Sequence, residues 1–146
     1  MKKIAIITLL TSLIFTRINA QEAEIYSSGG QALKGFDPVA YFKTAKPVKG
    51  KKEFSYQWKN ATWLFSTKEN LKDFIQDPEK YSPQYGGYCA YGASQGHKAP
   101  VDPKTWAVIN NKLYFNYNPE VQKLWNKDKE NLIIVANKKW EKIKNK

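Results

Sequence analysis

Among its 146 residues the chain has one cysteine, one histidine, one methionine, which is the first residue, and one arginine, Arg17. A single thiol excludes an internal disulfide framework. One thiol and one imidazole cannot assemble a four-cysteine zinc site, nor one of two cysteines and two histidines, within one chain. A mononuclear three-histidine catalytic zinc is excluded on the same count. The near-absence of arginine matters because 24 basic residues face only 13 acidic ones. Arginine makes the bidentate contacts to guanine and phosphate, so a lysine-only surface argues against a sequence-specific nucleic-acid reader. Long apolar runs are also scarce. Ile4 to Phe15 is about a dozen residues, short of the roughly 20 a membrane-spanning helix needs.

That run is instead placed as in a Sec signal peptide. Met1-Lys2-Lys3 supplies the positive start, and Ile18-Asn19-Ala20 the small-residue end, with cleavage expected before Gln21. The expectation is an exported protein, periplasmic or extracellular, without a transmembrane span after cleavage. Loss of residues 1–20 removes Lys2, Lys3 and Arg17, leaving 21 basic and 13 acidic residues and a net charge of +8. The lysines clustered from Lys138 to Lys146 suit the negative pole of a C-terminal helix.

The rest reads as a polar leader (21–35) followed by a single domain (36–146). Asp37-Pro38 is a helix start, with Asp as N-cap and Pro in the first turn. Phe54, Tyr56 and Trp58 alternate as in a strand, Lys59-Asn60-Ala61 turns, and Thr62 to Phe65 returns. Ser66-Thr67-Lys68-Glu69 is a capping box opening a helix with Leu71, Phe74 and Ile75 on one face. Asp77-Pro78 repeats the helix start. Asn110-Asn111 between Trp106–Ile109 and Lys112–Asn116 predicts a β-hairpin with a primed turn. Asn118-Pro119 and Asp128 open two last helices, the second with Leu132, Val135, Ala136, Trp140 and Ile143 at helical spacing. Strand pairs interrupted by helices, with no βαβ repeat, make the fold class α+β, a small antiparallel sheet with short helices packed on it.

FDPVAYF at 36–42 and WLFSTKENLKDFIQDPEKYSPQYGGYCAYG at 63–92, with DPKTW and KLYFNYN further on, resemble the YHS-domain family, in its longer exported branch. The likeness runs from about Ala32 to Trp140. It implies a small α+β module of a kind associated with heavy-metal handling, and it points to Cys89 as the position where some relatives carry selenocysteine. Metal-associated relatives carry cysteines in patterns such as DPVCGM and FCSxxC. This chain has Ala40, Ser66 and Asn70 at those places.

On chemistry, attention falls on Tyr85-Gly86-Gly87-Tyr88-Cys89. A short helix from Tyr88 to Ser94, ended by Gly96, would set Cys89 in its first turn, where free N–H groups and the dipole favour a thiolate. Gly86 and Gly87 allow close approach of a ligand or of a neighbouring backbone, so Gly86, Gly87 and Tyr88 are candidate cofactor-contacting residues. His97 is a candidate second metal ligand, and a soft Cys–His site would suit a copper-like ion. Eight residues of continuous helix would hold the two about 12 Å apart, however. Asp102 reads as a turn residue. Tyr81, Tyr85, Tyr88 and Tyr91 would form an aromatic platform if exposed. Two functions are expected. One is an exported YHS-type module using Cys89 as a redox-active thiol or soft-metal ligand, with a small thiol or an envelope protein as partner. The other is a non-catalytic envelope binding module with a tyrosine-rich loop and a structural cysteine.

Overall fold

A computed structural model describes residues 23–146. The expected signal peptide, residues 1–20, and the cleavage point at Gln21 lie outside them. Among the described residues the architecture is α+β, with six α-helices and two small sheets. β1 (Ser27–Ser28) and β2 (Gln31–Ala32) form a short hairpin. α1 (Pro38–Lys43) follows, then the aromatic strands β3 (Lys51–Trp58) and β4 (Ala61–Phe65). Next come α2 (Lys68–Gln76), α3 (Pro78–Tyr81) and α4 (Ala90–Gln95). The hairpin β5 (Trp106–Ile109) and β6 (Lys112–Phe115) leads to α5 (Pro119–Asn126) and α6 (Lys129–Ile143).

The first sheet has the order β1-β2-β4-β3. Its β3–β4 pair is antiparallel, with Trp58 opposite Ala61, and β2 joins β4 in parallel through Gln31 and Thr62. The sheet is therefore mixed rather than purely antiparallel. The reason lies in the leader, which is no loose appendage: Ile25, Ala32 and Leu33 are buried in the core. Their apolar side chains are worth more in the core than in water, and burying them anchors the exposed β1–β2 turn between them.

Both tight turns follow from their residues. Lys59 and Asn60, like Asn110 and Asn111, have positive φ, as a two-residue primed turn requires. Around α2 the aromatic core gathers on Phe74, whose ring lies 5.1 Å from Phe65, 5.2 Å from Trp63 and 5.7 Å from Trp58 between centroids. Burying one such ring contributes about 1.5–3 kcal/mol. Ile75, expected on that inner face, is 46 % exposed, because α2 turns only a narrow stripe to the sheet. A second cluster of Tyr85, Ala90, Ala93, Tyr114, Trp125 and Ala136 holds α4, α5 and α6 against the β5–β6 hairpin.

Helix starts follow the Asp-Pro and Asn-Pro pattern. Asp37, Asp77 and Asn118 each accept a backbone N–H in the first turn of the helix they open. Two caps differ from expectation. The cap of α2 is Thr67, which accepts from Asn70 N at 3.1 Å; Ser66 is engaged elsewhere. Asp128 makes no side-chain cap to the backbone and instead accepts from the Asn131 amide at 2.8 Å.

Candidate functional site

The tyrosine-rich loop reaches α4 through three consecutive residues with positive φ, Tyr85, Gly86 and Gly87. At Gly86 the need for glycine is steric as well as conformational. A Cβ there would stand 1.8 Å from the Glu24 carbonyl oxygen, and Tyr26 N donates to Gly86 O at 2.9 Å. What approaches the glycine turn is thus the chain's own segment 24–26. Gly87 faces the Leu33 side chain and Pro83. Tyr88 is 8 % exposed, and its hydroxyl donates to Ala23 O at 2.8 Å. All three residues seat the N-terminal segment.

Cys89 lies two positions earlier relative to its helix than expected, at the N-cap of α4 rather than within its first turn. It is 2 % exposed. Its backbone is pinned by Cys89 N donating to Ala99 O at 3.0 Å and by a parallel bridge to Phe115. The sulfur accepts from Gly92 N at 3.5 Å and lies 3.6 Å from Asn116 Oδ1, to which the thiol donates. Asn116 Oδ1 also accepts from Tyr91 N at 3.2 Å, whereas Asn116 Nδ2 is buried without a hydrogen-bond partner.

His97 is exposed. It follows the left-handed C-cap Gly96, where the chain turns back so that the imidazole rests against Gly92. Amide and backbone N–H groups, the polar neighbours of the sulfur, are not soft-metal ligands. Among the described residues no group of three or more His, Cys, Asp or Glu is placed to hold a metal ion. Asp102 is a turn residue, accepting from Lys104 N at 2.9 Å.

The tyrosine platform does not form as expected. Tyr85 is 5 % exposed and faces inward, its hydroxyl donating to Asn137 Oδ1 at 2.9 Å. Burial, reinforced by Tyr114, pushes its pKa well above the ordinary phenol value. Tyr81 and Tyr91 are half-buried, and two further half-buried rings beside this loop are Trp58 and Trp140. The two tryptophans border a polar cleft of about 280 Å³ between the 24–25 segment, the β3–β4 turn, the loop and α6. Lys59 spans it, 3.0 Å from Glu24 and 3.3 Å from Glu79. Burial pulls the Lys59 pKa down, but the hydrogen bond and charges of the two glutamates outweigh it and the net shift is upward. Asn137, Glu141 and Lys112 complete the polar wall.

A second polar centre escaped the sequence reading. The carboxylate of Asp37, fully buried, accepts five hydrogen bonds. Oδ1 takes Val39 N and Ala40 N; Oδ2 takes Ser66 N, Ser66 Oγ and the Asn70 amide. The local signals were two separate caps, Asp37 and Ser66, with nothing in either to show that they meet. Among the described residues no helix is long and apolar enough to cross a membrane. Comparison with protein-family models, with curated proteins and with solved structures gave no match.

Proposed function

We propose that the chain is a small exported module of YHS type that binds an envelope ligand or partner without catalysing a reaction, with Cys89 as a packed helix cap. The observation that carries this reading is the burial of Cys89. Its sulfur is occupied by Gly92 N and Asn116 Oδ1 inside the aromatic core, while the same loop borders a polar cleft rimmed by tryptophan. A concave site with aromatic walls and a few convergent polar groups is the usual form of a small-ligand pocket. The YHS type in this proposal rests on the sequence resemblance, whose key positions come together in the fold. Ala40, Ser66 and Asn70, the places of thiols in metal-associated relatives, all lie around the Asp37 carboxylate.

A second reading keeps Cys89 as a redox-active thiol or copper-like soft-metal ligand. It is favoured by the unpartnered Asn116 amide in a residue whose oxygen touches the thiol, and by the Gly92 N–H directed at the sulfur. Thiol titration separates the two. Under the binding-module reading, native protein leaves a soluble maleimide unconsumed and reacts after denaturation. Rapid stoichiometric labelling of the native protein overturns that reading in favour of the second.

A further inference from the structure

We infer that the groove between α1, α3 and β5 binds a small aromatic carboxylate. It encloses about 510 Å³, more than the cleft beside the tyrosine loop, and its walls are mainly rings. Tyr41 and Trp106 meet edge-on at 5.2 Å between centroids, and Phe42 and Tyr81 at 5.6 Å. The Tyr41 hydroxyl is spent on Pro103 O at 2.8 Å and the residue is 1 % exposed, so Tyr41 backs the groove while the half-buried Phe42, Tyr81 and Trp106 line it. Val108, 36 % exposed, adds an apolar side chain that nothing in the fold covers fully. Edge-to-face packing of this kind extends readily to one further flat ring.

Charge decides what the ring should carry. The polar cleft has three carboxylates in its wall, Glu24, Glu79 and Glu141. This groove has none, and its charged members are Lys43 and Lys80. Lys43 is paired with Asp73, and that hydrogen bond raises its pKa. Lys80 lies on the exposed side of α3 with its ammonium 5.0 Å above the Tyr81 ring, and among the described residues it has no carboxylate partner. Asn111 at the hairpin turn brings an amide to the same groove. An unneutralised ammonium above an aromatic cleft complements a single anionic group on a planar apolar body. Cys89 and the tyrosine loop have no part in the site, so it stands apart from the function proposed above.

The test titrates the purified chain with sodium 2-naphthoate and, separately, with the neutral isostere 2-naphthamide, following backbone amide shifts by NMR. Naphthoate is expected to shift residues 41–45, 80–81 and 106–111 and to bind about tenfold more tightly than the amide. Lys80→Gln is expected to erase that preference while leaving the thermal unfolding curve unchanged. Val108→Glu, at an exposed strand position, is expected to abolish naphthoate binding. If that variant unfolds, Lys80→Gln decides alone. The inference is overturned by shifts mapping elsewhere, by equal affinity for acid and amide, by an unaltered preference in Lys80→Gln, or by no saturation at about 5 mM ligand. Tighter binding of laurate at the same residues would replace the aromatic ligand by an aliphatic one and overturn it as stated.

Discussion

The carboxylate of Asp37 and the side-chain amide of Asn70, 33 residues apart in sequence, meet at 2.7 Å in the interior. Asp37 opens α1 and Asn70 lies in the first turn of α2, so one side chain joins two helix starts. Ser66, between β4 and α2, adds both its backbone N–H and its hydroxyl. Five donors converge on two oxygens, the condition under which a buried carboxylate is tolerated.

Asp37→Ala should therefore be among the most damaging single substitutions in the chain. It strands the Ser66 and Asn70 donors together with the first N–H groups of α1, at an expected cost of about 3–5 kcal/mol. Ser66→Ala removes one of the five bonds and should cost about 1–2 kcal/mol. Urea unfolding of the two variants checks the ratio, and equal small effects would show that the carboxylate is not the keystone of this junction.

Gly86→Ala and Gly29→Ala form a matched pair. Both glycines have φ near +60°, but a Cβ at Gly86 would strike Glu24 O whereas one at Gly29 meets nothing within 4 Å. Gly29→Ala should cost about 1 kcal/mol for backbone conformation alone. Gly86→Ala should in addition release the 23–26 segment, read as faster hydrogen exchange at Tyr26 N, which donates to Gly86 O.

At Cys89 the structure calls for a small side chain that can accept from Gly92 N. Serine is a good N-cap, so Cys89→Ser should stay within about 1 kcal/mol of the parent. Cys89→Ala, which removes the cap, should lose about 1 kcal/mol or more. Equilibrium unfolding ranks the two, and a more stable alanine variant would show that the sulfur packs without capping.

Alkaline pH should destabilise the fold through its buried tyrosines. Burial pushes the Tyr41 pKa far above its ordinary 10.0, with Asp102 and Asp37 adding to the shift, and Tyr85 moves the same way. A raised folded-state value means that the native form holds its proton after the unfolded form has lost it. The contribution is whole below pH 10 and declines as pH rises beyond it. Each such tyrosine adds a slope of about 1.4 kcal/mol per pH unit. Tyr41→Phe and Tyr85→Phe should each flatten the fall in stability measured between pH 10 and 11.

The sequence is most legible where the physics is local. The helix starts at Asp37-Pro38, Asp77-Pro78 and Asn118-Pro119, and the turns at Lys59-Asn60 and Asn110-Asn111, depend on dihedral preferences and on hydrogen bonds spanning two or three residues. Strand alternation in Phe54, Tyr56 and Trp58 is equally local. The α+β class follows from the order of such elements, and all of these features stand in the fold.

Exposure and long-range pairing needed the tertiary structure, because each depends on which distant surface arrives. The local pattern of Cys89 suits a reactive thiol as well as a packed one; the bridge to Phe115 and the contact with Asn116, 27 residues away, bury it. Gly86 and Gly87 are open to a ligand in sequence terms, and the segment 24–26 occupies the space beside Gly86. Ser66 could cap its own helix, yet the Asp37 carboxylate offers its hydroxyl a charged acceptor at 2.6 Å, a stronger partner than a backbone group. The sequence by itself determined the helix starts at Asp37, Asp77 and Asn118 and the two tight turns. Packing, which brings remote residues within bonding distance and shuts out water, decided which side chains remain available for function.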